Sequence, residues 1–116
     1  MMRIIESDMS IQYHNKSGQF YRKDGPAIIY PNGAQYWYKN DKWHRDNGPA
    51  IIRANGTRYW YKDGKCHRDD GPAIIWPDGT QYWWKNGQRH RDDGPAIIYA
   101  NGRKEWWKNG KFIKAS

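Results

Sequence analysis

The chain has 116 residues, enough for one domain, and is 37% apolar and 16% aromatic, with eight tryptophans and nine tyrosines. Its 20 Lys and Arg against 12 Asp and Glu leave a formal charge of +8, which favours an acidic partner: nucleic acid, an anionic membrane or an acidic protein. No run approaches the roughly 18 apolar residues of a membrane span, the lone Cys66 excludes an internal disulfide, and Glu6 stands where a secretion signal would continue its apolar region, so the expected compartment is cytoplasmic.

Gly-Pro-Ala-Ile-Ile begins at Gly25, Gly48, Gly71 and Gly94, a constant spacing of 23 residues. A fixed period of this length marks units that bury apolar surface only by stacking on their neighbours. On this frame residues 3–24 form a degenerate N-terminal unit. Ile4-Ile5-Glu6 falls one unit before Ala27-Ile28-Ile29, Gln12-Tyr13 before Gln35-Tyr36, and Lys16-Ser17-Gly18 where Lys62-Asp63-Gly64 sits two units on. Full units follow at 25–47, 48–70 and 71–93, with a C-terminal unit at 94–116, so residues 1–116 read as a single repeat domain.

Two turn signals alternate inside each unit. Asn32-Gly33, Asn55-Gly56, Asp78-Gly79 and Asn101-Gly102 are one set; Asn40-Asp41, Asp63-Gly64, Asn86-Gly87 and Asn109-Gly110 are the other. Between β-branched and aromatic runs both predict tight type I′ hairpins. The expected fold is all-β, an elongated single antiparallel sheet, or meander, of stacked β-hairpin repeats with two strands per unit. A two-residue loop at Asn32-Gly33 pairs Ile28 with Trp37 and Ile29 with Tyr36. Alternation then puts Ile28, Tyr30, Trp37 and His44 on one face, and Ala27, Ile29, Tyr36, Tyr38 and Trp43 on the other. Ladders of Trp37, Trp60, Trp83, Trp106 and of Tyr38, Tyr61, Trp84, Trp107 follow on opposite sides.

A 23-residue unit with an Asn-Gly-Lys turn, a His two residues after the Lys, a short apolar strand and a second Asp-Gly turn resembles the MORN repeat and its bacterial and phage relatives. The glycines that MORN repeats place in the first strand and after the His are here Tyr59 and Arg68, and the gap between the turns differs. The resemblance implies hairpins in an elongated, twisted sheet and a role in binding proteins or, in some relatives, membrane lipids. It implies no catalysis.

His-Arg-Asp recurs at His44, His67 and His90, but the kinase loop that shares this string needs an Asn five residues after the Asp, where Ile51 stands. Three copies also argue for structure over a singular active site. His67, Asp69 and Asp70 lack a second His or Cys at ligand spacing, so neither metal nor cofactor is expected. Structurally, Asp69 and Asp70 are expected to bond turn amides and Arg68 to pair with acids of the next unit.

Lys39, Lys62, Lys85 and Lys108 recur at one turn and predict a basic rim along aromatic strands, the combination that tracks a nucleic-acid backbone. Positions identical in every unit belong to the shared fold, whereas positions that differ are free to serve a partner. These are Tyr30, Arg53, Trp76 and Tyr99 on one face, and Trp43, Cys66, Arg89 and Phe112 on the other. The expected function is a non-enzymatic module that binds an acidic protein, in the manner of an inhibitor or antitoxin, with sequence-tolerant nucleic-acid binding as the alternative. The hairpin ending in Phe112-Ile113-Lys114 is expected to join two copies weakly through its edge.

Overall fold

The computed structural model describes residues 2–116. In chain order the first unit supplies Met2–Ile5 (β1) and Ile11–His14 (β2), and the second Ile28–Ile29 (β3), Gln35–Tyr36 (β4), Tyr38–Lys39 (β5) and Lys42–Trp43 (β6). Ile51–Ile52 (β7), Arg58–Tyr59 (β8), Tyr61–Lys62 (β9) and Lys65–Cys66 (β10) follow, then Ile74–Ile75 (β11), Gln81–Tyr82 (β12), Trp84–Lys85 (β13) and Gln88–Arg89 (β14). Ile97–Ile98 (β15), Lys104–Lys108 (β16) and Lys111–Ala115 (β17) complete the chain. Eleven strands pair antiparallel in the meander order β1-β2-β3-β4-β7-β8-β11-β12-β15-β16-β17. The fold is all-β and extended, 49 × 25 × 19 Å, with a radius of gyration of 16.0 Å against about 13 Å for a compact domain of this length.

The sheet is not strictly single. Each full unit gives two strands to the main sheet and a separate two-stranded hairpin, β5-β6, β9-β10 or β13-β14. After Trp43 the chain runs through His44-Arg45-Asp46-Asn47-Gly48-Pro49 before it pairs again at β7. The hairpin's pairing ends at Trp43, and Pro49, which has no N–H to continue a ladder, stands just before the sheet restarts.

The two turn sets differ in kind. Asn40 and Asp41 (φ +52° and +63°) and Asp63 and Gly64 (φ +50° and +78°) are both left-handed, as the expected type I′ loop requires. In the other set only the glycine is left-handed: Gly33 has φ +93°, its N–H donates to the Tyr30 carbonyl at 2.9 Å, and the Tyr30 N–H donates to the Ala34 carbonyl at 2.9 Å. The loop is therefore three residues, Pro31-Asn32-Gly33, with Asn32 Oδ1 accepting from the Ala34 N–H at 2.9 Å. Proline's fixed φ suits the first position of a type I turn, which draws Pro31 into the loop.

The extra residue corrects the register. Ile28 faces Tyr36 and Ile29 faces Gln35, not Trp37 and Tyr36. A slip of one residue moves every side chain of the strand to the opposite face.

The first unit is offset as well. The Tyr13 N–H donates to the Ala27 carbonyl as that of Trp37 does to Ala50, and Arg22 lies over the Tyr13 ring at 4.1 Å as Arg45 lies over Trp37 at 4.0 Å. Tyr13 is thus the counterpart of Trp37, not of Tyr36. The residue is made up in the turn, where Asn15 and Gln19 flank a three-residue loop in place of the later two-residue one.

Alanine is the joint between units. The Ala50 N–H donates to the Tyr59 carbonyl at 2.7 Å while Ile51 also faces Tyr59, so two residues oppose one in a β-bulge. The Ala50 carbonyl in turn accepts from the Trp37 N–H at 2.7 Å. Ala27, Ala50, Ala73 and Ala96 repeat this pattern and are each 0% exposed, with Ile28, Ile51, Ile74 and Ile97 buried beside them.

His-Arg-Asp locks successive units together. The His67 Nδ1 accepts the Asn86 N–H of the next hairpin at 2.9 Å, which leaves the proton on Nε2 to donate to Asp69 Oδ1 at 2.8 Å. The Arg68 guanidinium lies over Trp60 at 4.0 Å and donates to the Pro72 carbonyl at 3.1 Å and to Asp70 at 3.3 Å. The aspartates therefore hold His67 and Arg68 and do not bond turn amides, and Arg68 pairs within its own unit. An acid two residues on is simply nearer than any acid of the next unit.

Candidate functional site: a convergent aromatic face

The corrected register brings both variable rows to one side of the sheet. Tyr30 meets Tyr36 edge-on at 5.7 Å, Arg53 lies over Tyr59 at 5.2 Å, and Trp76 and Tyr99 flank Tyr82 at 4.4 and 6.3 Å. Expected on the face opposite Tyr36, the row from Tyr30 to Tyr99 instead shares its face. Trp43, Cys66, Arg89 and Phe112 stand on that face too, over the hairpins.

Along the hairpins these residues form a continuous row of stacked side chains. Phe20 stacks on Tyr38 at 4.9 Å, and the Trp43 Nε1–H donates to the Tyr38 hydroxyl at 3.0 Å. Trp43 then meets Tyr61 at 5.2 Å. Cys66 packs among Tyr61 and Trp84, and Arg89 lies 5.6 Å from the Trp84 ring and 4.9 Å from that of Trp107. Trp107 meets Phe112 edge-on at 5.5 Å. The alternation arises because each second hairpin strand places its variable residue directly opposite the aromatic of the first: Tyr38 with Trp43, Tyr61 with Cys66, Trp84 with Arg89.

Local electrostatics follow from this packing. Burial raises the Tyr38 and Tyr61 hydroxyl pKa values and pushes the Cys66 thiol up to about 12. The Glu105 carboxyl is held below its usual range, first by the 2.9 Å hydrogen bond from Trp107 Nε1 and then by the 3.0 Å bond from the Tyr99 hydroxyl, with the Arg89 and Arg103 charges adding to both.

The lysines do not border this face. Lys39, Lys62 and Lys85 alternate with Tyr38, Tyr61 and Trp84 and line three shallow grooves, of about 680, 700 and 520 Å³, the first between the loop at residues 21–26 and the first His-Arg-Asp loop and the other two between successive His-Arg-Asp loops. There they face aspartates: Asp46 is held below the usual carboxylate range chiefly by its hydrogen bond from His44, and the charges of Lys39 and Lys62 add to the effect. The expected basic rim is thus a band of mixed charge. Lys108 ends β16 and is exposed.

Sequence reasoning passed over Glu105, Arg103 and the ladder from Tyr38 to Trp107. Glu105 stands where other units have Tyr36, Tyr59 and Tyr82, so the rule that singled out Tyr30 and Trp43 also singles it out. The ladder varies too, from tyrosine at Tyr38 and Tyr61 to tryptophan at Trp84 and Trp107, and its rings are half-exposed. Among the described residues no helix is long and apolar enough to cross a membrane. Compared with known proteins, the chain matches no family model, and no curated protein is significantly similar to it.

Proposed function

We propose that this protein is a non-enzymatic repeat module that binds an acidic protein through its aromatic face, as an inhibitor or antitoxin does. One observation carries the reading: two variable rows, Tyr30-Arg53-Trp76-Tyr99 and Trp43-Cys66-Arg89-Phe112, converge on one face, and that face combines tryptophan, tyrosine and arginine. These are the residues in which binding hot spots are enriched, because they supply large contact areas with polar tips at low entropic cost. The MORN-like character belongs to the same proposal, and stacked hairpins in a meander are compatible with it.

Nucleic-acid binding draws less support, since the lysines that would follow a phosphate backbone share their grooves with aspartates. The weak homodimer expected through Lys111–Ala115 is a second, self-directed contact, supported by the 55% and 53% exposure of Phe112 and Ile113.

The test is affinity capture from nuclease-treated lysate of the source cells with wild-type protein, with Trp43→Ala/Trp76→Ala and with Lys39→Ala/Lys85→Ala. The reading expects a protein recovered by the wild type and the lysine variant but not by the tryptophan variant. Loss with the lysine variant alone, or loss on nuclease treatment, overturns it.

A further inference from the structure

Arg89 differs from every other half-buried arginine of the chain. The guanidinium groups of Arg22, Arg45, Arg68 and Arg91 each donate to a proline carbonyl of their own loop. Arg89 makes no side-chain hydrogen bond and no ion pair among the described residues, and its Nε is buried without an acceptor. It is walled by Tyr82 at 5.4 Å, Trp84 at 5.6 Å and Trp107 at 4.9 Å. The Trp84 Nε1 on the same patch is also buried without an acceptor. Two orphaned donors in one aromatic enclosure cost desolvation free energy that packing alone does not return.

The scaffold does not require this arrangement. The same position holds Trp43, Cys66 and Phe112 in the other units, each packed against the same aromatic ladder. An apolar residue would complete the row and remove the buried Nε of Arg89 from it. Arg89 Nε is closed to solvent, whereas its two terminal nitrogens are not among the buried donors, so an acceptor arriving from outside meets the Nη1–Nη2 fork.

We propose that Arg89 is the anchor of the aromatic face and receives the side-chain carboxylate of a Glu or Asp on the protein partner. This rests on the protein-binding reading above and names its central contact. A planar carboxylate matches the guanidinium fork with two parallel hydrogen bonds, strengthened where aromatic walls exclude water. Glu105 favours a single negative charge over two: it is near enough to be stabilised by Arg89, and its carboxylate repels a phosphate dianion at the same fork. The partner segment thus presents an acidic residue flanked by apolar ones, which the rings of Trp84 and Trp107 accommodate.

The test uses the full chain and a defined probe, the peptide acetyl-Leu-Glu-Leu-Glu-Leu-amide, with its Gln counterpart and an eight-residue oligothymidine as comparisons. Nitrogen-resolved NMR reads the Arg89 Nε–H directly, and Arg89→Phe retains the packing seen at Phe112. The expected result is that the Glu peptide shifts the Arg89 Nε–H resonance saturably, the Gln peptide does not, and Arg89→Phe binds at least about tenfold more weakly. An unmoved Nε–H at saturating peptide, equal binding by Arg89→Phe, or preference for the oligothymidine overturns the proposal. If affinity capture recovers one nuclease-resistant protein equally with wild type and Arg89→Phe, the anchor is refuted while protein binding stands.

Discussion

Gly71→Ala tests the packing of the His-Arg-Asp loop in its most sensitive place. No left-handed φ constrains Gly71, so alanine fits the backbone. Its Cβ, however, would lie 2.9 Å from Arg68 Cζ and 3.1 Å from Nη1. Arg68 cannot yield freely, because its guanidinium is held over Trp60 and bonded to the Pro72 carbonyl. Displacing it forfeits a stacking contact of roughly 0.5–1 kcal/mol and a charged hydrogen bond of roughly 1.5 kcal/mol. The lower entropy of an unfolded alanine returns about 0.4–1 kcal/mol. The net expectation is a loss of about 1–2 kcal/mol, read by urea denaturation. In an Arg68→Ala background the obstacle is gone, and Gly71→Ala should stabilise by about 0.4–1 kcal/mol. Gly79→Ala is the contrasting case: nothing lies within 4 Å of its Cβ, but its φ of +92° makes alanine costly by about 1–2 kcal/mol in either background. Equal effects of Gly71→Ala with and without Arg68 would refute the reasoning.

Trp60→Ala in the middle of the array should destabilise by roughly 3 kcal/mol, and by more than Trp106→Ala, which has no further unit beside it; equal melting shifts would argue against stacking. Cys66, with its thiol pushed up to about 12 by burial, should resist a thiol reagent in native buffer at pH 8 and react only on unfolding. The depressed carboxyl of Asp46 contributes stability that is fully present above its unfolded value of about 3.9 and is lost as pH falls through the lower folded value; Asp46→Asn should therefore flatten the acid limb of the stability profile, and an unchanged limb would contradict the His44–Asp46 contact. Sedimentation across a salt series should show weak self-association that tightens with salt as lysine repulsion is screened, and a strict monomer at all salts would exclude the edge contact.

The meander was legible because its causes are local. Asn-Gly and Asp-Gly recur at fixed intervals, and Gly-Pro-Ala-Ile-Ile marks each restart of the sheet. The face assignment was not, because it turned on one residue. Pro31 and Ala54 lie inside the first loop, not at the end of a strand, and loop length alone decides whether Tyr30 lies with Trp37 or with Tyr36. The aspartates were misread for a related reason: Asx residues cap turns often, but here His67 and Arg68 lie closer to them than any free amide. The candidate rows were found by their variation between units. Their convergence became visible only with the register.

Photo-crosslinking tests the central claim most directly. A benzophenone side chain is placed singly at Trp43, Trp76 or Phe112 on the aromatic face, and at Lys39, Lys62 or Lys85 in the grooves, in protein produced in the source cells. The aromatic-face positions are predicted to trap one common polypeptide and the groove positions to trap none of it. Trapping from the groove positions with none from the aromatic face would contradict the account.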